Sequence, residues 1–335
     1  QSRDLSDRKA IQDFAHIVQS HERLKLLLIL TVADIRAVGP GVFNGWKGQL
    51  LRTLYYQCEP LLSGGHSKMS HRDTVNKAQQ DLLEQLDHWD ETDREAYINR
   101  HYQAYWLRTA PDRMLNHAEL IRSADEAGDQ LAFGVHPLTF EAVTEITVLA
   151  PDHPRLLQSI AGACSVTGAN IVDAQIDTTT DGFALDTIFI SRELPDDTDE
   201  RRRGERITDL ISKALTGESP LPQVVAKKNP AKGRMKAFKV AANVLVNNSW
   251  SDEYTVLEIT GLDRPGLLYD LTRAIATLNL NIGSAHISTF GERVVDVFYV
   301  TDLTGQKIAN IGRQDIIRER LCDAVEGKVE TDPSA

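Results

Sequence analysis

Residues Gly261–Asp302, GLDRPGLLYDLTRAIATLNLNIGSAHISTFGERVVDVFYVTD, set the fold of this chain. A strand-like run, Thr255–Thr260, leads into them, and Asp263-Arg264-Pro265-Gly266 makes a corner, because proline fixes φ and glycine turns tightly. Leu267, Leu271, Ile275 and Leu278 then recur at helical spacing. Asn281-Ile282-Gly283 opens a strand-like run to Thr289, and after a Phe-Gly-Glu turn comes the β-rich run Val294–Val300. A late amphipathic helix carries Ile317, Leu321, Ala324 and Val325, and Lys328-Val329-Glu330 is a short candidate strand. The order is β-α-β-β-α-β.

The same pattern occurs earlier in the chain. Asp152–Leu157 lies over Asp263–Leu268, Asn170-Ile171 over Asn281-Ile282, and Ala174-x-Ile176-x-Thr178 over Ala285-x-Ile287-x-Thr289, all at one offset (263 − 152 = 111). The strands Leu185–Ile190 and Val295–Val300 match one residue closer, so the hairpin turn absorbed a single length change. A duplicated βαββαβ unit follows. DRPGLL, NI and AHISTFGERVVDVFYV together resemble the ACT domain, a small amino-acid-binding module. The first copy departs from that pattern, with Arg155 at the position of Gly266.

Charge and composition bound the rest. The 37 Lys and Arg against 48 Asp and Glu give a formal net charge of −11, with no dense basic stripe, which argues against general nucleic-acid or acidic-membrane binding. Arg201-Arg202-Arg203 is flanked by Glu200 and Glu205 and reads as a solvated helix face. The longest apolar run, Leu24–Ala33, is broken by Lys25 and Thr31 and is too short to span a bilayer. Cys58, Cys164 and Cys322 are scattered without metal spacing, as expected of reduced thiols in a cytoplasmic protein.

The opening segment is helix-rich: N-cap candidates in Asp4–Asp7, then the apolar helix His21–Ala37 stopped by Gly39-Pro40-Gly41, then a helix from Asn44 to Tyr56. Asp34, taken alone, is a helical Asp that caps or pairs locally. LTVADIRAVGPGVFNGWKGQLLRTLYY, however, closely resembles the end of the HD phosphohydrolase domain in the bifunctional uridylyltransferase/uridylyl-removing family of bacterial nitrogen regulation. The resemblance extends through WLRTA, HAELIRSADEAGDQ and AVTEITVLAPDHPRLL. It implies that Asp34 closes an H…HD…D metal site for Mg²⁺ or Mn²⁺. No His-Asp dipeptide, nucleotidyltransferase signature or Walker-type loop occurs here, and the chain starts at Gln1. The expectation is therefore a fragment: 1–65 the end of an HD domain, 66–138 a helical connector, 139–215 the first ACT domain, 216–238 a linker, 239–335 the second. The fold class is α+β, a helical N-terminal part followed by two tandem ferredoxin-like ACT domains. Lys239–Asn247 reads as an added or pairing strand. The connector's aromatic stripe, Tyr97, Tyr102, Tyr105, Trp106, reads as packing, and His101, His117 and His136 as surface or packing histidines.

A free amino acid offers a carboxylate and an ammonium. The backbone N–H groups at the turn Asp263–Leu268 suit the former, Asp263 the latter, and Asn281 can serve a polar end. The same residues also make an ordinary N-cap and two turns. With the ACT resemblance, the candidate ligand set is Asp263, Arg264, Gly266, Leu267, Asn281 and Ile282, with Asp152, Arg155 and Asn170 from the first copy. The family resemblance implies glutamine as effector, the PII signalling protein as partner, and UTP and UMP at centres outside this chain. The alternatives are a non-catalytic ACT-repeat binding protein and an ACT-regulated HD hydrolase of the stringent-response type.

Overall fold

The computed structural model describes residues 4–5, 7–38, 45–62, 71–153, 155–218, 241–290 and 293–328. They fall into two compact units, Arg3–Pro151 with Asp177–Asp186, and Asp152–Ile176 with Thr187–Ala335.

The first unit starts with three helices, α1 (Arg8–Val18), α2 (His21–Val38) and α3 (Gly45–Leu62). Among the N-cap candidates Asp7 is a cap, accepting from the N–H groups of Lys9 and Ala10, and Gln19 in the left-handed region ends the helix. Ile11, Val18, Leu24 and Cys58 form their core, and His21 Nε2 meets Tyr55 Oη at 2.6 Å. The helix α3 runs six residues past the expected Tyr56. The Gly39–Gly41 stop lies outside the described residues. On α2 most of the apolar residues face outward: Leu26, Leu27, Ile29 and Leu30 are all exposed, the last two 65 %.

Four more helices follow: α4 (His71–Gln85), α5 (Glu91–Asn99), α6 (Gln103–Arg108) and α7 (Pro111–Ala127). Pro111 at the first turn starts α7, and Gly128 in the left-handed region ends it. A hairpin, β1 (Ala132–Leu138) and β2 (Val143–Pro151), comes next. The β1 strand occupies the stretch between α7 and the first repeat, and it carries Gly134 and Pro137, which a strand pairing on one side tolerates. Of the aromatic stripe Tyr97, Tyr105 and Trp106 are core, packing with Trp89, Leu82, Leu86, Met114, Ile121, Leu149 and Leu185, whereas Tyr102 is exposed. His101 stacks on Tyr105 at 4.0 Å, and His117 Nδ1 lies 3.2 Å from the Tyr105 hydroxyl. Three arginines tie the helices to carboxylates: Arg100 to Asp125 (2.6 Å) and Asp181 (3.0 Å), Arg108 to Asp177 (2.6 Å), and Arg113 to Glu145 (2.8 Å).

In the second unit α8 (Leu156–Thr167), β3 (Ile171–Gln175) and α9 (Asp197–Leu215) belong to the first repeat. The strand β4 (Phe183–Ser191) enters this unit at Thr187. The second repeat adds β5 (Asn243–Asn247), β6 (Thr255–Leu262), α10 (Leu267–Thr277), β7 (Leu280–Phe290), β8 (Arg293–Asp302) and α11 (Ile311–Val325). Here the strands run β4-β3-β7-β8-β6-β5, each antiparallel to its neighbour. The fold is α+β with tandem ferredoxin-like repeats. Its extra strand stands in front of each repeat, as β1 pairing with β2 and as β5 pairing with β6, where Lys239–Asn247 had been read as a pairing strand. At the chain's other end Lys328 is not in a strand, and Val329 and Glu330 lie outside the described residues.

The repeat offset is also a symmetry operation. Ala174 and Ala285 are equivalent by sequence, and they pair with each other across β3 and β7. Gln158 and Tyr269 are likewise equivalent, and Gln158 Nε2 donates to the Tyr269 hydroxyl at 3.3 Å between α8 and α10. A pseudo-twofold axis passes through both contacts. It is broken at the next residues: Asp173 meets His286 Nδ1 at 2.7 Å on one side, while Gln175 faces Ser284 on the other.

Burial pushes the His101 imidazole down to about 3 and lowers His117 well below its ordinary value. Both are neutral in the folded unit, so their stabilisation is present above about pH 6.5 and is lost as pH falls and the unfolded chain takes up protons. At pH 5 the His101 contribution to the loss is about 2 kcal/mol, and His117 acts in the same direction. Urea titrations followed by tryptophan fluorescence at pH 7.5 and 5 should show His101→Phe losing less stability on acidification than the parent. An equal loss would place the acid sensitivity elsewhere.

Candidate effector-binding site

The loop between β6 and α10 is assembled by close contacts. A Cβ on Gly261 would come within 2.4 Å of Val325 Cγ1, so the last turn of α11 lies directly on the end of β6. Asp263 is exposed. Gly266 caps α10 with φ 78°, a conformation that strains any side-chain-bearing residue, and no side chain caps the helix in its place. The Leu267 N–H donates to the Arg264 carbonyl at 3.1 Å, and the remaining N–H groups of an uncapped first turn suit an anionic group. Leu267 is buried and anchors the turn.

Arg264 points inward. Its guanidinium contacts Asp270 Oδ2 at 2.6 Å and donates to the Ala324 carbonyl at 2.7 Å, with its side chain only 6 % exposed. Beneath the loop, Asp296 on β8 is 1 % exposed and accepts one long bond from the Ser288 N–H, at 3.4 Å. Sequence inspection missed Asp296 because a lone Asp inside VVDVFYV looks like one polar residue on a strand. Its equivalent in the first repeat, Asp186, is also buried, and that recurrence was the available signal.

The first-repeat loop differs. Asp152 and Arg155 are exposed, Arg155 caps α8 at φ −102°, and its N–H donates to His153 Nδ1 at 3.2 Å. Pro154 lies outside the described residues. Asn170 Nδ2 donates to Ser191 Oγ at 3.2 Å, and Asn281 Nδ2 reaches the Asp302 carbonyl at 3.5 Å. Ile282 is half-buried opposite Val300.

The strand register separates residues that the repeat pattern had grouped. Leu262 pairs with Arg293, which pairs with Phe290, whereas Asn281 pairs with Thr301. Asn281 and the loop 263–266 thus lie at opposite ends of β7, about 30 Å apart at 3.3 Å per residue. Because Asp173 pairs with His286 in antiparallel register, the start of β3, with Asn170 before it, runs toward the loop end instead. Loop 263–267 of one repeat and Asn170 of the other share one sheet end. Asp34 is exposed on α2, and among the described residues no group of three or more His, Cys, Asp or Glu is gathered for a metal ion. One exposed carboxylate does not hold a divalent ion. Among the described residues no helix is long and apolar enough to cross a membrane.

Burial, with the nearby Asp263 adding to it, pushes the Asp296 carboxyl up to about 7. The native state keeps a proton that the unfolded chain releases near pH 4, so this stabilisation is full below that point and lost as pH rises to 7. The loss amounts to at most about 4 kcal/mol. Asp296→Asn should flatten the fall in stability between pH 4.5 and 7.5 in urea titrations; an unchanged slope would show that Asp296 ionises normally.

The family model described as ACR family N-terminal ACT domain matches residues 250–327. The chain is 54 % identical over 323 residues to a bifunctional uridylyltransferase/uridylyl-removing enzyme of Rhodopseudomonas palustris, covering 96 % of this chain and 35 % of that protein. It is 53 % identical over 335 residues to the enzyme of the same name from Bradyrhizobium diazoefficiens, covering 100 % of this chain and 36 % of the relative. The crystal structure of an unknown protein from Galdieria sulphuraria aligns with 56 % of this chain and 92 % of its own, at 13 % identity and a TM-score of 0.19, too slight a likeness to carry an argument. The chain thus spans about a third of the length of the curated relatives it matches. Over nearly its whole length it is similar to about a third of these bifunctional uridylyltransferase/uridylyl-removing enzymes, and its residues 250–327 are an ACT domain.

Proposed function

We propose that this chain is the glutamine-sensing part of an enzyme that attaches UMP to the PII signalling protein and removes it again. The observation that supports the proposal is the identity of 54 % to a bifunctional uridylyltransferase/uridylyl-removing enzyme along 96 % of the chain, together with a helix start at Gly266 that no side chain caps. The effector's carboxylate would sit on the first-turn N–H groups behind Gly266, its ammonium near Asp263, and its polar end toward Asn170 of the other repeat.

Transfer from UTP and hydrolysis, with Mg²⁺ or Mn²⁺, are assigned to residues beyond those of this chain. The face of α2 supports that division. Leu27, Leu30 and Asp34 share one side of the helix at spacings of three and four, and all three are exposed. A row of exposed leucines beside a carboxylate fits a helix that packs against further protein and contributes one group to a centre completed there.

The purified chain, incubated with UTP, Mg²⁺ or Mn²⁺ and PII in its free or UMP-carrying form, should give no turnover; turnover would refute the division. In the intact enzyme Asp34→Ala should abolish removal of UMP and largely spare its addition, as followed by the mass of PII. Calorimetric titration of glutamine tests the sensor. Gly266→Arg should weaken binding by about 2 kcal/mol or more, because it strains a left-handed position and fills the approach to the backbone. Arg155→Gly should cost less, and a larger loss there would move the main site to the first repeat.

A further inference from the structure

The two loops match in the repeat pattern, and that of the second repeat is fastened to the last helix of its repeat by an arginine. In the second repeat Arg264 spans two partners, the carboxylate of Asp270 one turn into α10 and the carbonyl of Ala324 in the last turn of α11. Gly261 lets that same turn of α11 come down on the end of β6. By the repeat offset the first-repeat counterparts of Gly261, Arg264 and Asp270 are Ala150, His153 and Ser159. That loop therefore lacks the arginine–carboxylate pair, and its histidine instead accepts from the Arg155 N–H.

We infer that Arg264 is a positioning residue that holds the loop 263–266 in its binding shape by joining α10 to α11, without itself touching the effector. The inference rests on the amino-acid site proposed above and adds how that site is set. Nη2 of the guanidinium serves both Asp270 and Ala324, Nε is buried without a hydrogen-bond partner among the described residues, and the side chain is only 6 % exposed while Asp263 stands at the surface. An arginine held by a carboxylate and a helix-terminal carbonyl is a strong, directional brace, because charge-assisted bonds are short and the carbonyl end of a helix favours a cation. The loop then pays its ordering cost on folding, and the effector meets a site already shaped.

The test uses the 335-residue chain and its Arg264→Gln, Arg264→Lys and Asp270→Asn variants. In hydrogen–deuterium exchange without ligand, Arg264→Gln should speed exchange at 263–268 and 320–325 about tenfold or more, leaving the β3–β7 seam unchanged. Asp270→Asn keeps the bond to Ala324 and should show a smaller effect; it also serves if Arg264→Gln fails to fold. Arg264→Lys should recover part of the protection. In calorimetry Arg264→Gln should weaken glutamine and glutaminamide, which lacks the α-carboxylate, by the same factor of about ten. Loss confined to glutamine would mean that Arg264 clamps the carboxylate and would overturn the inference, as would unchanged exchange. A parent chain that binds neither compound would refute the sensing function, while exchange would still decide whether Arg264 braces the loop.

Discussion

The second unit depends on a pair of alanines. Ala174 and Ala285 face each other across β3 and β7, both nearly fully buried. Directly opposed residues in an antiparallel pair point to the same face of the sheet, here the side on which Gln158 and Tyr269 join α8 to α10. Two methyl groups at that point let the helices come down on the seam. A larger side chain on either strand would press against its own symmetry mate and against the helices at once. From this contact follow the continuity of the sheet from β4 to β5 and the end of it that each loop occupies.

The symmetry is imperfect where chemistry enters. His286 Nδ1 meets the Asp173 carboxylate on the side of the seam nearer the loop 263–266, and the mirrored positions hold Ser284 and Gln175. Together with Gly266 against Arg155 and Arg264 against His153, this makes the duplicated module a pair of unlike halves. Duplication supplies the sheet, which needs both copies, and divergence leaves one loop better formed than the other.

The first unit is held by different means. Arg100, Arg108 and Arg113 reach Asp181, Asp177 and Glu145, and the last two carboxylates are themselves buried. Removing one member of such a pair strands the other charge, at a cost of about 3–5 kcal/mol. The connector helices are thereby locked to the hairpin residues 177–186 and to β2, around an aromatic core that contains two neutral histidines.

The sequence by itself determined the duplication, the α+β class, the corner at Asp263–Gly266 and the packing role of Tyr97, Tyr105 and Trp106. These are local or repeating signals: spacing, a Pro-Gly turn, an offset that recurs. It also determined the axis in latent form, since residues that map onto each other must meet themselves where two copies join. Only the tertiary structure decided which residues converge. Asn281 lies near Gly266 in the repeat pattern and at the far end of β7 in space, because antiparallel register reverses the neighbour and brings Asn170's end to the loop. Arg264 looked like a ligand-facing cation and is folded inward by Asp270 and Ala324, the second of them sixty residues away. The strand β1 was hidden by Gly134 and Pro137, which break a lone strand but are tolerated by one that pairs on a single side. Register and burial are properties of pairs of distant residues, and no window along one chain contains both partners.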